Sequence, residues 1–274
     1  MKKIAIQGIS GCFHEMAATK FFGKDIEVIE CTSFKSLCQT MAEDQEIYGV
    51  MAIENTLAGS LLPNYSLIQK FGFQVIGEVY LHIVMNLMTY PGTPINNIRY
   101  ILSHSVALAQ CEDFTDTLSN IELKEYHDTA AAAKWVKENK STDTGAIANH
   151  LSAQLYGLEI VAKSIETHKK NFTRFLILSS HKKQIVDANK ASLSLELSHE
   201  PGSLSNVLNI FKEEKVNLTK IQSVPIIGKP YQYAFKIDLQ WEDYQHYINA
   251  INQVEKICSN ILVHGEYKAA NYLA

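Results

Sequence analysis

Short apolar runs alternate with amphipathic segments over residues 3–178. The runs KIAIQG, YGVMAIEN and IRYILSH have the length and composition of buried strands, and each precedes a segment with apolar residues at helical spacing. Strands that alternate with helices predict an α/β fold with a mostly parallel sheet. Ligands in such sheets bind beyond the carboxyl ends of the strands. We therefore expect functional loops after Ile6, Ile53 and Leu102.

The pattern changes after a polar, lysine-rich stretch at residues 181–191. Beyond it, SLSLELS alternates as a strand does, and PGSLSNVLNIF has apolar residues at helical spacing. Further strand and helix patterns, with a turn at residues 228–230, complete the order βαββαβ, which is typical of a ferredoxin-like unit. We predict a first domain over residues 1–180, a linker over 181–191 and a second domain over 192–274.

Composition narrows the classes of function. The net charge is -4 and the pI is about 6.2, and no basic stripe is present, so we expect no nucleic-acid partner. The five cysteines are scattered without a CxxC pair, which indicates a reducing compartment. The ten histidines show no metal-ligand spacing, so we predict no metal.

No segment has the pattern of a membrane or export signal. The apolar stretch after the N-terminal lysines is far shorter than the ~7–15 residues of a signal-peptide core. The longest uncharged apolar stretch, residues 79–90, is interrupted by His82 and Asn86 and is shorter than the ~20 residues of a spanning helix. We expect a cytoplasmic protein without a membrane partner.

The loop after Ile53 carries the first candidate chemistry. It reads AIENTLAGS, in which Asn55 and Thr56 carry side-chain donors and Gly59 permits a close approach to a ligand. These residues could bind an anion or a carboxylate. They are also common in an ordinary helix N-cap and turn, so both interpretations stay open at this point.

The other two loops are less specific. GISGCFH has Gly8 and Gly11 without the GxGxxG fingerprint, so it presents backbone N–H groups to an anion or forms a simple tight turn. SHSVALAQC places Ser103 and His104 at the end of a strand, with Gln110 in the following helix. A lone histidine in such a position is more often structural or solvent-facing than functional.

The stretch NFTRFLIL puts a hydroxyl and a fixed charge directly before an apolar strand. Successive strand residues face opposite sides, so Thr173 and Arg174 have different roles. Arg174 either caps the sheet through an ion pair or faces a ligand. No base accompanies Thr173, which argues against a nucleophile but allows a hydroxyl that donates a hydrogen bond or a proton to a leaving group.

Together these motifs resemble those of the prephenate dehydratase family. GISGCFHEMAA is similar to the family's glycine loop, AIENTLAGS to its Ile-Glu-Asn-Ser-x-x-Gly-Ser signature, and SHSVALAQC to its Ser-His-x-x-x-x-x-Gln-Cys element. DTAAAAKWV, the Thr-Arg-Phe motif, and NLTKIQSVPIIGKPYQYAFKID, which is similar to the second half of an ACT domain, follow in family order. The resemblance covers essentially the whole chain.

The resemblance implies a carbon–oxygen lyase that converts prephenate to phenylpyruvate with loss of water and carbon dioxide and needs no cofactor. It implies an α/β fold with a two-lobed, periplasmic-binding-protein-like catalytic domain, a cleft between the lobes, and a C-terminal ferredoxin-like ACT domain. Carried over by motif position, the catalytic residues are Thr173, Asn55, Ser103 and Gln110. The substrate-binding residues are Thr56, Gly59, Ser60, Thr129, Arg174 and Phe175.

The ACT resemblance implies regulation by L-phenylalanine and a homodimer or homotetramer formed through these domains. Gln222 and Val224 stand where the family often has a glutamate and an arginine, which removes two charges from the expected site. The regulatory residues implied by the resemblance are Gly202, Ser203, Leu204, Asn217, Leu218, Gln222 and Ser223.

Two other functions are compatible with the motifs. An arogenate dehydratase, which acts on the amino analogue of prephenate, would carry the same residues. A solute-binding or regulatory protein on the same fold is the other, against which the intact Thr-Arg-Phe motif and the missing signal peptide argue. The first strand begins at Lys3, so we expect a monofunctional chain without a preceding chorismate mutase domain.

Overall fold

The computed structural model describes residues 1–226, 228 and 232–271. Lys229 and Pro230, two residues of the turn predicted at 228–230, lie outside the described residues. Within the described part of the chain, no helix is long and apolar enough to cross a membrane.

Contacts divide the chain into two compact units, each built from two segments. Unit 1 comprises Met1–Leu61 and Val79–Phe175, and unit 2 comprises Leu62–Glu78 and Leu176–Ala274. Residues 62–78 belong to the predicted first domain but pack with the C-terminal part of the chain. Unit 2 is therefore larger than the predicted second domain.

The elements follow the expected alternation of strands and helices. The first part of the chain forms β1 (Lys2–Gln7), α1 (Phe13–Phe22), β2 (Ile26–Cys31), α2 (Phe34–Glu43), β3 (Tyr48–Asn55), β4 (Gly59–Ser60), α3 (Leu62–Phe71), β5 (Gln74–His82), β6 (Asn86–Thr89), β7 (Tyr100–Ser103), α4 (Ser105–Gln110), α5 (Glu112–Thr115), β8 (Glu122–Glu125), α6 (Thr129–Glu138), β9 (Thr144–Ala148), α7 (His150–Tyr156), β10 (Glu159–Ala162) and β11 (Phe172–Ser179). The remainder forms β12 (Lys190–Glu196), α8 (Ser203–Glu213), β13 (Asn217–Pro225), β14 (Tyr233–Gln240), α9 (Tyr244–Val254) and β15 (Asn260–Tyr267).

The first sheet has the strand order β2-β1-β3-β11-β5, with β4 paired to β3. β1 runs parallel to both β2 and β3. Residues 49–53 of β3 are all buried, as expected for a strand covered on both faces. The Thr56 N–H donates to the Phe172 carbonyl at 2.9 Å, so the end of β3 lies beside the start of β11. This pairing brings two of the predicted motifs together.

The second sheet has the order β10-β6-β9-β7-β8 and is mixed. β7 runs parallel to β8 and β9, whereas β6 runs antiparallel to β9 and β10. The expectation of a mostly parallel sheet is therefore not met here. Helix α6 packs on this sheet through small residues, and Ala130–Ala133 are all buried. Their short side chains allow the first turn of α6 to approach the strand ends closely.

In unit 2, β12 to β15 with α8 and α9 follow the predicted βαββαβ order and form a four-stranded sheet, β13-β14-β12-β15. Alternate residues of β12 divide between two environments. Leu193 and Leu195 join the apolar core beneath α8 and α9. Ser192 and Ser194 face a buried polar layer on the other side. The Lys236 ammonium in this layer donates to Gln69 of α3 at 2.7 Å, one of the contacts that join residues 62–78 to this unit.

Candidate active site

Unit 1 contains a cavity of about 330 Å³ with walls from both of its sheets, here called the cleft. The first sheet contributes the loop after β1, the end of β3 and the start of β11. The second sheet contributes the segments after β7 and β8. The polar residues of the wall include Cys12, His14, Asn55, Gln110, Asp128 and Thr173.

The start of β11 presents alternate side chains to the cleft. Thr173 and Phe175 line it, whereas Arg174 is not part of its wall. The Arg174 side chain is buried, and its guanidinium carbon lies 5.9 Å from the centroid of the Tyr80 ring. Of the two roles left open for Arg174, contact with a ligand in the cleft agrees less well with this placement than a structural role at the end of the sheet.

The Asn55 amide is held in one orientation beside Thr173. Its Oδ1 accepts hydrogen bonds from the backbone N–H groups of Leu57 and Ala58, each at 2.9 Å. Its Nδ2 therefore faces β11 and donates to Thr173 Oγ1 at 2.9 Å. Because the Thr173 oxygen accepts this bond, its own proton is available to a group in the cleft.

A chain of side-chain amides connects two cleft residues, Asn55 and Gln110. Asn55 Nδ2 also donates to Asn171 Oδ1 at 2.7 Å, and Asn171 Nδ2 donates to Gln110 Oε1 at 3.0 Å. The oxygen of Gln110 is thus occupied, so its NH₂ group is the end that can bind a ligand. Asn171 is fully buried and fixes the two cleft residues relative to one another.

Of the remaining predicted residues, one lies on the cleft wall and four do not line the cavity. Thr129 lies on the wall, in the first turn of α6. Ser103 is fully buried and donates to the Ile147 carbonyl at 2.6 Å. Thr56 Oγ1 accepts from the Phe172 N–H at 2.9 Å and so joins β3 to β11. Gly59 and Ser60 form β4, which pairs with β3 and shapes the loop.

Comparison with known proteins identifies the family. The model of the family described as prephenate dehydratase matches residues 4–183. The chain belongs to this family. It is 33% identical over 269 residues to arogenate dehydratase/prephenate dehydratase 2 of Arabidopsis thaliana, covering 96% of this chain and 69% of that protein. The prephenate dehydratase family is a family of enzymes, and this chain is an enzyme of the dehydratase kind.

Two solved structures confirm the fold class. Prephenate dehydratase from Arthrobacter aurescens, in complex with L-Phe, has a TM-score of 0.87 and 25% identity over 98% of this chain and 91% of that one. GqqA, described as a novel type of quorum-quenching acylase, has a TM-score of 0.89 and 25% identity over 99% of this chain and 100% of that one. The two-lobed α/β fold predicted from the motifs is therefore correct.

Three residues of the dehydratase cleft region were missed by the sequence reasoning: His14, Asp128 and Asn171. His14 lies on the buried face of α1 with Ala17 and Ala18, so helical spacing could have placed it there. Its Nε2 accepts from the Ala52 N–H at 3.3 Å, and burial lowers its pKa to about 3. His14 is thus a neutral histidine with Nδ1 protonated. Asn171 gave no periodic signal, because it lies just before β11.

The cleft wall offers no activated nucleophile. Burial raises the pKa of the Cys12 thiol to about 12, so it stays protonated at neutral pH. Thr173 contacts an amide rather than a base. Among the described residues, no group of three or more His, Cys, Asp or Glu side chains is arranged to hold a metal ion. The arrangement favours hydrogen-bond donation over covalent catalysis.

Proposed function

We propose that this dehydratase is a carbon–oxygen lyase that converts prephenate to phenylpyruvate, water and carbon dioxide. The observation that carries the proposal is the Thr173 hydroxyl, which accepts a hydrogen bond from Asn55 and is left with its proton for the cleft. As the ring carboxylate departs as carbon dioxide, its bonding electrons enter the ring, the ring becomes aromatic and the C4–oxygen bond breaks. Thr173 donates a hydrogen bond to the departing oxygen, which leaves with the bonding electrons as hydroxide and becomes water with a proton from solvent. Gln110 offers its amide N–H groups to the substrate.

Donation to the leaving oxygen matters because hydroxide is a poor leaving group. A well-placed donor contributes about 10²–10⁴-fold in rate. Acyl transfer, by contrast, needs a nucleophile with a neighbouring base, which Thr173 lacks among the described residues. Arogenate is a second candidate substrate, because its ring is the same and the Arabidopsis relative carries both names.

We also propose that residues 192–274 form an ACT domain that binds L-phenylalanine and joins protomers into a dimer or tetramer. Unit 2 has a second cavity of about 330 Å³, whose wall includes Ser203, His199 and Tyr233. Gly202, at φ +86°, is the N-cap before Ser203 and turns the chain at this wall. The complex of the Arthrobacter enzyme with L-Phe supports the choice of effector. Gln222 donates to the neighbouring Ser223 carbonyl and does not line this cavity.

The test is product formation by the purified protein from prephenate and, in parallel, from arogenate, each with and without millimolar phenylalanine. Phenylpyruvate from prephenate, with suppression by phenylalanine, is the expected result. Product without suppression refutes the regulatory half of the proposal and leaves the catalytic half intact. No product from either substrate, with a folded protein, refutes the dehydratase activity.

A further inference from the structure

Asp128 lines the cleft, and its two carboxylate oxygens have different neighbours. It is the N-cap of α6, where its Oδ1 accepts from the Ala131 N–H at 2.9 Å. Its Oδ2 lies toward the loop after β1, and a Cβ built on Gly8 would be 3.1 Å from it. Gly8, at φ +108°, permits this approach. The backbone N–H groups of Ala131 and Ala130 both act on this carboxylate, and no side chain among the described residues is hydrogen-bonded to Oδ2.

The charge of Asp128 has no fixed cationic partner on the cleft wall. Among the described lining residues there is no lysine or arginine. Burial raises the pKa of the Asp128 carboxyl above its usual range, although the α6 backbone N–H groups and the nearby His127 and His104 oppose this. Asp128 in turn helps to raise the pKa of the Cys12 thiol. This end of the cleft is therefore electronegative and would gain stability from a bound cation.

The two candidate substrates differ at one group. Prephenate carries a keto group, which only accepts hydrogen bonds, in the side chain where arogenate carries an ammonium, which donates three. The ring, its hydroxyl and both carboxylates are common to the two. A carboxylate in the cleft repels the keto oxygen and binds the ammonium through a charge-assisted hydrogen bond.

We propose that Asp128 is the specificity-determining residue of this enzyme, binding the α-ammonium of arogenate through Oδ2 and making arogenate the preferred substrate. This inference rests on the proposed dehydratase chemistry, which is the same for both substrates. It adds recognition of the substrate's side chain, at a distance from the C–O bond that breaks. The chain would then release phenylalanine directly.

The test compares kcat/KM for arogenate and prephenate in the wild-type protein and in Asp128→Asn. Asparagine caps helices about as well as aspartate, so the variant keeps the α6 cap and loses only the charge. We expect wild-type kcat/KM to be at least about tenfold higher for arogenate, and the variant to lose about 10–100-fold on arogenate and much less on prephenate, so that the ratio of the two values falls at least about tenfold. Asp243→Asn is the matched control, because Asp243 caps α9 in unit 2 through the same kind of bond. In this control the ratio of kcat/KM for arogenate to kcat/KM for prephenate should equal that of wild type.

Three results would overturn the assignment. One is an equal loss on both substrates in Asp128→Asn, which would mean a role only in the helix cap. The second is a wild-type preference for prephenate. The third is an unchanged arogenate dissociation constant when Asp128→Asn is added to a Thr173→Val background and binding is measured by calorimetry. If neither substrate is turned over by wild type while Asp128→Asn still weakens arogenate binding at least about tenfold, the proposed dehydration fails and the Asp128 assignment stands.

Discussion

Replacing Thr173 by valine separates its catalytic role from its structural one. Valine has nearly the shape of threonine, so the hydroxyl is lost with little change in packing. Asn55 Nδ2 loses one acceptor but keeps Asn171 Oδ1 at 2.7 Å and the Phe172 carbonyl at 3.3 Å. No buried donor is orphaned, and the cost in unfolding free energy should be about 1 kcal/mol, the value of one ordinary hydrogen bond.

The effect on turnover should be much larger. Without a donor at the leaving oxygen, kcat should fall by about 10²–10⁴, which corresponds to about 3–5 kcal/mol of activation free energy. Even the harsher Thr173→Ala should remain folded and lose at least about tenfold. The assay is initial-rate measurement of aromatic product, with thermal unfolding measured on the same samples.

Thr173→Ser is the matched control for this experiment, since it keeps the hydroxyl on the same strand position. It should retain kcat within about tenfold of wild type. A folded Thr173→Val protein with wild-type kcat would refute the donor role. Equal losses in the serine and valine variants would point to packing of the threonine methyl group instead.

Two further predictions concern unit 2. The Lys190 ammonium is buried and lies 2.9 Å from both carboxylate oxygens of Glu78. Lys190→Met should therefore lower the free energy of unfolding by about 3–5 kcal/mol. Adding Glu78→Gln to the same chain should restore most of that loss, as measured by urea unfolding. Burial, with the nearby Lys236 charge, lowers the pKa of His264 from 6.5 to about 4. The unfolded state therefore binds the proton first as pH falls below 6.5, and up to about 3 kcal/mol of stability is lost between pH 6.5 and 4. His264→Asn should flatten that loss, and an unchanged pH profile would contradict the assignment.

Local pattern was sufficient for much of the fold. The alternation of apolar runs with helical spacing predicted β1, β3 and β7 and the helices that follow them, and the βαββαβ order of β12 to β15 was read correctly. Period-two alternation at the start of β11 also predicted that Thr173 and Arg174 would face different sides. These features depend on residues close in sequence, where hydrophobic periodicity and turn preferences act directly.

The contents of the cleft depended on pairings between distant residues. Asn55 and Asn171 are 116 positions apart, and neither gives a periodic signal that marks it for the other. Ser103, placed at the site by motif, donates to a backbone carbonyl instead. Asp128 could be recognised as a helix cap, but only the tertiary structure placed its carboxylate on the cleft wall.

The sequence by itself determined the elements, the family and the hydroxyl that we propose as the donor, because short-range patterns and motifs carry that information. Tertiary structure alone decided three things: which polar groups share the cleft, which of their atoms remain available, and that residues 62–78 pack with unit 2. The physical reason is that hydrogen-bond satisfaction and burial are properties of assembled surfaces. A side chain's remaining donor or charge is defined only when every neighbour is in place.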